Sequence, residues 1–146
     1  MKVKEIIRVK GSTIYTAQPD QALSSAIEQM ANLDAGSLLV LSDGAMVGML
    51  TFREVLQAIS HKNGNAEGFT VADVMVKDPI SVAPDMEAND LRRLMIEQHM
   101  RYLPVIEAGE ILGVISLLDV AKAVLEEQGL ENLMLKNYIK NWPSEQ

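Results

Sequence analysis

The chain has 146 residues, of which 48% are hydrophobic and 23% are charged, so it has the composition of an ordinary globular protein that forms one compact domain or two half-size units. Its formal net charge of −7 argues against nucleic-acid binding, and no apolar run approaches the roughly 20 residues that span a bilayer. The absence of cysteine excludes disulfides and thiol chemistry and is consistent with a cytoplasmic protein.

The first half of the sequence predicts a short amphipathic lead followed by a strand, a helix, a β-hairpin and a second helix. Asp20 is placed to cap the first of these helices, and Gly36 suits the left-handed residue that ends it. Asp43-Gly44 is a typical hairpin turn. The predicted segments are the lead Val3–Ile7, the strand Thr13–Ala17, a helix through Leu33, the hairpin strands Ser37–Leu41 and Met46–Leu50, and a helix from Thr51 through Ile59.

The second half repeats this order after a polar, glycine-containing boundary at Asn63–Gly68. Asp85 begins its first helix, and Ala108-Gly109 forms its hairpin turn. After Gly129, an apolar segment predicts an appended helix that either makes a dimer contact or is a frayed cap. The predicted segments are the lead Val71–Met75, the strand Pro79–Val82, a helix through Met95, the hairpin strands Tyr102–Ile106 and Ile111–Ile115, a helix from Ser116 through Val124, and the tail helix from Leu130 to Trp142.

The two halves are copies of one unit. Residues 13–55 fall on residues 78–120 without a gap when they are shifted by 65 positions, and Pro19-Asp20 then falls on Pro84-Asp85. Each copy is too small to bury a core alone, so we expect the copies to pack on each other and the functional site to lie where they meet. The expected organisation is a first repeat at 1–65, a second at 66–128, and a tail at 129–146.

The junction of each hairpin with its last helix has two interpretations. Thr51 is followed three residues later by Glu54, and Ser116 by Asp119, which is the spacing of a capping box with a purely structural role. A helix start also offers backbone donors to a phosphate, and a carboxylate one turn on can accept both hydrogens of a ribose diol. Two such helix starts facing each other would make two related nucleoside clefts.

The order of elements, the Gly-x-x-x-Ser/Thr-x-x-Asp/Glu endings and two short phrases resemble the CBS (cystathionine β-synthase) domain family. The phrases are Met100–Val105, and Asp73–Met75 followed by Pro79–Pro84. The resemblance extends from Val3 to Leu125 and implies an α/β (α+β) fold. This fold is a tandem CBS domain pair, or Bateman module, of the small stand-alone prokaryotic type. Its two strand-helix-strand-strand-helix repeats are related by a pseudo-two-fold axis.

The resemblance also implies a function. Family members bind AMP, ADP, ATP, S-adenosylmethionine or NAD(H), and their domain pairs commonly dimerise. The protein is therefore expected to be a non-catalytic regulatory sensor in signal transduction, a homodimer that binds an adenosine-containing ligand in the cleft between its repeats and acts on an unidentified effector protein. The alternative is a structural dimerisation adaptor that binds no ligand.

The resemblance implies a role for each residue of the cleft at the second repeat. Carried over by position, Asp119 would hold the ribose hydroxyls and Ser116 a phosphate. Ile14 and Tyr15, on the first strand of the first repeat, would line the adenine pocket of the same cleft.

In the other cleft, Thr51 and Glu54 would take the same roles, with Ile80 opposite them. Arg101 matches a family position whose basic side chain often reaches the phosphate, whereas the first copy has a glycine at that register, with Arg53 nearby. The family usually has Asp where Glu54 stands, which favours the Asp119 half-site. The expected ligand-binding residues are Ile14, Tyr15, Thr51, Arg53, Glu54, Ile80, Arg101, Tyr102, Pro104, Ser116 and Asp119.

The other polar residues predict no further chemistry. His61 and His99 have neither cysteines nor a matched partner at metal-ligand spacing, so we expect no metal site. No serine lies in a nucleophile-elbow sequence, and we expect no catalytic residue and no catalytic cofactor. Partners other than the nucleotide, a second copy and the effector are not expected, and nucleic acid and membrane are excluded.

Overall fold

The computed structural model describes residues 1–129 of the protein. This part of the chain contains six helices and six strands, which confirm the mixed α+β fold. The predicted tail helix lies outside the described residues. The elements are α1 (Val3–Lys10), β1 (Thr16–Ala17), α2 (Leu23–Leu33), β2 (Ser37–Ser42), β3 (Ala45–Thr51), α3 (Phe52–Ser60), α4 (Val71–Val74), β4 (Val76–Lys77), α5 (Ala88–Glu97), β5 (Tyr102–Glu107), β6 (Glu110–Ser116) and α6 (Leu117–Glu127).

Both predicted hairpins are present, and they are built alike. The turn residues Asp43-Gly44 have φ of 51° and 81°, and Ala108-Gly109 have φ of 51° and 80°. Two successive positive φ angles give the turn whose twist matches that of the flanking strands. The antiparallel strands then run back to Thr51 and Ser116, each of which is both the last residue of a strand and the N-cap of the next helix.

The first strand of each copy is shorter than predicted. β1 pairs in parallel with β2 over two residues only. In the second copy the strand expected at Pro79–Val82 is reduced to a single bridge between Val82 and Val105. A strand that was not predicted, β4, follows α4 and pairs antiparallel with β3, and so completes a four-stranded sheet in the order β1-β2-β3-β4.

The leads are exchanged between the copies. α1 precedes the first copy in the sequence, but the Val3 N–H donates to Met86 O at 2.9 Å, in front of α5 of the second copy. α4 precedes the second copy, but the Val71 N–H donates to Gln21 O at 2.8 Å, in front of α2 of the first. The register is the same in both places, because Gln21 and Met86 are equivalent under the 65-residue shift. Each copy thus completes its core with the helix that precedes the other copy.

The exchanged leads explain where α2 and α5 begin. Their N-caps are Ala22 and Glu87, so the predicted caps Asp20 and Asp85 are wrong. Ala22 and Glu87 form isolated antiparallel bridges with Thr70 and Lys2, the residues in front of α4 and α1. The aspartates lie in a turn, and the bridges hold Ala22 and Glu87 in an extended conformation, so each helix starts only after its bridge.

The hydrophobic side chains form one core per copy. Both cores lie between the sheet of a copy, its two main helices and the exchanged lead. Within residues 1–129, none of the helices has both the length and the apolar character needed to cross a membrane. The first core contains Ala17, Leu23, Ala26, Met30, Leu38, Val40, Leu50, Val55 and Val71. The second contains Val3, Ile6, Ile7, Val82, Ala88, Leu91, Met95, Leu103, Val105, Ile115, Val120, Ala123 and Val124.

Candidate functional site

A cavity of about 1050 Å³ lies where the copies meet, at the N-terminal end of α3. The first copy contributes the start of α3 and the end of β3, and the second copy contributes the segment after β4 and the start of β5. Six of the expected ligand-binding residues lie in its wall, namely Thr51, Arg53, Glu54, Ile80, Arg101 and Tyr102.

The capping box expected at Thr51 is formed. Glu54 Oε1 accepts hydrogen bonds from the Thr51 N–H and from the Thr51 hydroxyl, both at 2.7 Å, and Thr51 Oγ1 accepts from the Arg53 N–H at 3.2 Å. Within the described chain Glu54 Oε2 has no hydrogen-bond partner, so one carboxylate oxygen remains available to a ligand. The structural role of this motif as a helix cap is compatible with its expected role in ligand binding, because the cap orients the Glu54 carboxylate at the edge of the cavity.

Two arginines bring positive charge to this cavity. Arg53 follows Thr51 at the start of α3, and Arg101 directly precedes β5. Among residues 1–129, no carboxylate lies within 4.0 Å of either guanidinium. Because the first copy has a glycine in the register of Arg101, only Arg53 was expected near Thr51, but Arg101 also lies in the wall of this cavity. Because β5 begins at the boundary between the copies, the residue just before it can line a cavity at the helix start of the first copy.

The apolar part of the wall is formed by side chains of both copies. Ile80 is 49% exposed, although it is a large aliphatic residue, because it faces the open cavity. Tyr102 packs against Gly36, where an added Cβ would overlap the phenol ring. Gly36 was predicted as the left-handed end of α2, which is wrong, since Asp34 takes that conformation with φ of 52°. Gly36 instead makes room for Tyr102 at the boundary of the copies.

The second helix start, at α6, carries an additional cation. The Ser116 N–H donates to Asp119 Oδ2 at 2.9 Å, and the Asp119 N–H donates to Ser116 Oγ at 3.0 Å, which completes the expected capping box. Lys10 Nζ, at the end of α1, donates to the same Asp119 oxygen at 2.6 Å and to Val114 O at 2.6 Å. Lys10 was not predicted as a site residue, because the lead was expected to end at Ile7, whereas α1 continues through Lys10.

Three expected site residues lie elsewhere. Pro104 is buried in β5, where it pairs with Val114 of β6. Tyr15 is 40% exposed and lies beside β1, where its carbonyl oxygen accepts from the Leu39 N–H at 2.9 Å. Ile14 is half-buried on the same segment. None of the three lines the cavity at α3. Ile14 and Tyr15 were assigned to the Asp119 half-site, and that assignment stays a prediction.

The ion pair of Lys10 with Asp119 predicts a pH dependence of stability. Burial raises the pKa of the Asp119 carboxyl, but hydrogen bonds from Lys10 and Ser116 outweigh it and hold that pKa below its usual value. The stability that the Asp119 carboxylate contributes is therefore fully present above about pH 3.9, the pKa of an aspartate in the unfolded chain. It is lost as the pH falls through the lower pKa that this carboxyl has in the folded state. We expect the unfolding free energy, measured in urea between about pH 5 and pH 2, to fall more steeply in the wild type than in Lys10→Met.

The control for this experiment is Lys4→Met, which removes a charge from the same helix where it pairs with Asp85 at 3.4 Å. This pair is more exposed than that of Lys10, so its loss should leave the pH dependence close to that of the wild type. Equal slopes for Lys10→Met and the wild type would contradict the assignment.

The comparisons with known proteins agree with this architecture. The CBS domain family matches residues 3–61 and 71–126. A 17.7 kDa protein of Acidianus ambivalens is 31% identical over 127 residues, which cover 86% of this chain and 74% of that protein. Among solved structures, a protein with CBS domains from Burkholderia ambifaria has a TM-score of 0.81 at 29% identity, covering 88% of this chain and 96% of that chain.

A CBS domain pair solved in complex with 5′-methylthioadenosine and S-adenosyl-L-methionine has a TM-score of 0.74 at 17% identity and covers 87% of this chain and 98% of that chain. At that identity the likeness shows the fold alone. The described residues contain no group of three or more His, Cys, Asp or Glu side chains that could hold a metal ion. CBS domain pairs are generally regulatory and often bind nucleotides. Since the matched repeats cover most of the sequence, the chain belongs to the CBS domain family, as a tandem pair.

Proposed function

We propose that the protein is a non-catalytic regulatory sensor that binds an adenosine-containing ligand, AMP, ADP, ATP or NAD(H), between its two repeats. The observation that carries the proposal is the cavity of about 1050 Å³ at α3, which combines a capped helix start, an apolar wall and two arginines. A solved pair of the same fold was crystallised with two other adenosine derivatives, which supports this ligand class.

Each part of such a ligand has a counterpart in the wall of the cavity. Glu54 Oε2 can accept the ribose hydroxyls, because the cap leaves this oxygen without a partner in the described part of the chain. Ile80 and Tyr102 offer apolar surface to the adenine ring. The α3 N-terminus and the guanidinium groups of Arg53 and Arg101 suit the phosphates. The related cleft at Ser116 and Asp119 is the second proposed site.

The position of the cavity explains how binding could be converted into a signal. Its wall comes from both copies, so a ligand that prefers one relative arrangement of the copies shifts the population toward it. In this proposal the pair is a homodimer in the cytoplasm that passes this shift to a separate effector protein. The competing proposal is an adaptor that dimerises and presents a surface without any ligand.

Thermal unfolding with AMP, ATP, NAD and S-adenosylmethionine tests the proposal. A ligand at 100 times its Kd stabilises the native state by about 2.7 kcal/mol, so the Tm should rise clearly for at least one of them. Glu54→Ala should lower the affinity for that ligand about tenfold or more, because a charge-assisted hydrogen bond is lost.

A matched control comes from the capping box at α4, where Asp73 Oδ2 accepts from the Thr70 N–H at 2.9 Å, away from the cavity. Asp73→Ala removes a capping carboxylate just as Glu54→Ala does, but it should leave ligand affinity unchanged. A flat Tm for the wild type across all four ligands would favour the adaptor.

A further inference from the structure

The outer face of α6 carries exposed hydrophobic side chains. Leu118 is 79% exposed and Leu125 is 61% exposed, although both are large aliphatic residues. They are seven residues apart, which is close to two helical turns, so they lie on the same face of the helix. The opposite face packs in the second core through Val120 and Val124. α6 therefore has one apolar face in the core and another, at Leu118 and Leu125, in solvent.

The chain beyond the described residues starts at one end of this outer face. α6 ends at Glu127, and residues 130–146 follow it directly after Gly129. Leu125 is close to this end, and Leu118 lies nine residues before Glu127, a distance of about 14 Å at a rise of about 1.5 Å per residue. A segment that turns back at Gly129 would run along the whole outer face, whereas a segment that continued straight on would leave it.

The sequence of this segment has the pattern that the outer face requires. A large apolar residue recurs at every fourth position, at Leu130, Met134, Tyr138 and Trp142. This spacing predicts one apolar ridge along a helix about 20 Å long. When the chain turns at positions 128–129, Leu125 comes level with position 132 and Leu118 with position 139. Each leucine then lies between two side chains of the ridge, as in other pairs of packed helices.

An attached segment fits this face better than a separate molecule does. Stable interfaces between separate proteins bury about 1,200–2,000 Å², and two leucines on one helix offer far less. A segment joined to α6 through Gly129 is held at a high effective concentration, so a small apolar contact is enough to dock it. A helix as short as residues 130–142 is in turn only marginally stable in water unless its apolar side is covered.

We propose that the outer face of α6 is the docking site of the chain's own C-terminal segment, residues 130–142, which folds back over Leu125 and Leu118 as an antiparallel helix. The segment then ends beyond the start of α6, where Leu117 lines the cavity at α3. This contact is separate from the proposed binding of a ligand and does not depend on it.

The fluorescence of Trp142 tests the proposal, because this residue is the only tryptophan in the sequence. In the wild type its emission should lie to the blue of free tryptophan, and acrylamide should quench it weakly. Leu118→Ala combined with Leu125→Ala should lower the ratio of docked to free segment about tenfold or more, because the burial of these leucines holds the segment. Quenching should then approach that of free tryptophan. Unchanged hydrogen exchange in β5 and β6 verifies that the core of this variant is intact.

Two matched variants separate the outer face from a general loss of apolar surface. Leu56→Ala truncates a leucine of α3 that is 62% exposed, and it should leave the quenching of Trp142 unchanged. Within the segment, Met134→Ala should release Trp142, whereas Ile139→Ala, which lies off the ridge, should not. If Leu56→Ala or Ile139→Ala increased quenching as much as the double variant does, the contact would not be the one proposed.

Dilution distinguishes the chain's own segment from that of a second copy. Quenching should stay constant over about a hundredfold range of protein concentration, since a contact within one chain does not depend on concentration. Quenching that rises on dilution would assign the outer face to the segment of a second copy. Strong quenching of the wild type at every concentration would show that no segment docks, and either result overturns the proposal.

Discussion

Ile6→Ala should destabilise the second copy more than the first, although Ile6 precedes the first copy in the sequence. Ile6 is 5% exposed and packs in the core formed by α5, α6 and the second hairpin. Truncating a buried Ile to Ala costs roughly 2–5 kcal/mol, from lost burial and from the cavity left behind. Urea unfolding measures the total loss, and hydrogen exchange shows where protection is lost. Amides of α5, β5 and β6 should lose more protection than those of α2, β2 and β3.

Val9→Ala is the matched control on the same helix. Val9 is 86% exposed, so its truncation should change the unfolding free energy by no more than about 0.5 kcal/mol. If the amides of the first copy lost the most protection in Ile6→Ala, α1 would belong to the first core and the exchange of leads would be wrong.

The exchange of leads also has a functional consequence. Neither repeat can be removed without taking away a helix that completes the other core, so the two copies form one cooperative unit. α1 ends at Lys10 beside one cleft, and α4 continues into β4 and Asp78 beside the other. A ligand in either proposed cleft would therefore contact a lead that packs in the same copy but is covalently joined to the other copy. This arrangement gives the proposed sensor a physical route for coupling between its two sites.

Local features were predictable from the sequence because their interactions span few residues. The hairpin turns at Asp43-Gly44 and Ala108-Gly109 and the capping boxes at Thr51 and Ser116 were confirmed. Each depends on a backbone conformation or a hydrogen bond within four residues. The repeat was predictable because the same shift of 65 residues relates every pair of equivalent turns and core positions. Recognising the repeat led to the correct fold class.

Features that depend on the packing of the copies were not predictable in this way. Lys10 and Asp119 are 109 positions apart, and no local pattern connects them. Arg101 lines the cavity that contains Thr51 of the first copy, while its carbonyl oxygen accepts from the Leu117 N–H at the start of α6 in its own copy. Gly36 was assigned to a helix end, but its role is to admit Tyr102, which lies 66 residues further along the chain. The preference for the Asp119 half-site, which rests on Glu54 standing where the family usually has Asp, stays a prediction.

Arg101→Ala should weaken the binding of AMP about 10- to 100-fold, because a hydrogen bond to a charged group contributes roughly 1.5–3 kcal/mol. The effect should depend on the phosphate, so the affinity for adenosine at the same cavity should change by less than about threefold. Isothermal titration of each compound measures both values. The reason is the position of Arg101 in the wall opposite Thr51, where no described carboxylate neutralises it.

Arg93→Ala provides the comparison, since Arg93 lies on α5, outside the cavity wall, and its guanidinium is 3.8 Å from Asp90. Both variants remove one positive charge, so a general electrostatic effect would weaken AMP binding equally in the two. A loss confined to Arg101→Ala assigns the phosphate to the boundary between the copies. An equal loss of AMP and adenosine in Arg101→Ala would instead mean that the arginine supports the shape of the cavity, and the phosphate would have to be placed at Arg53.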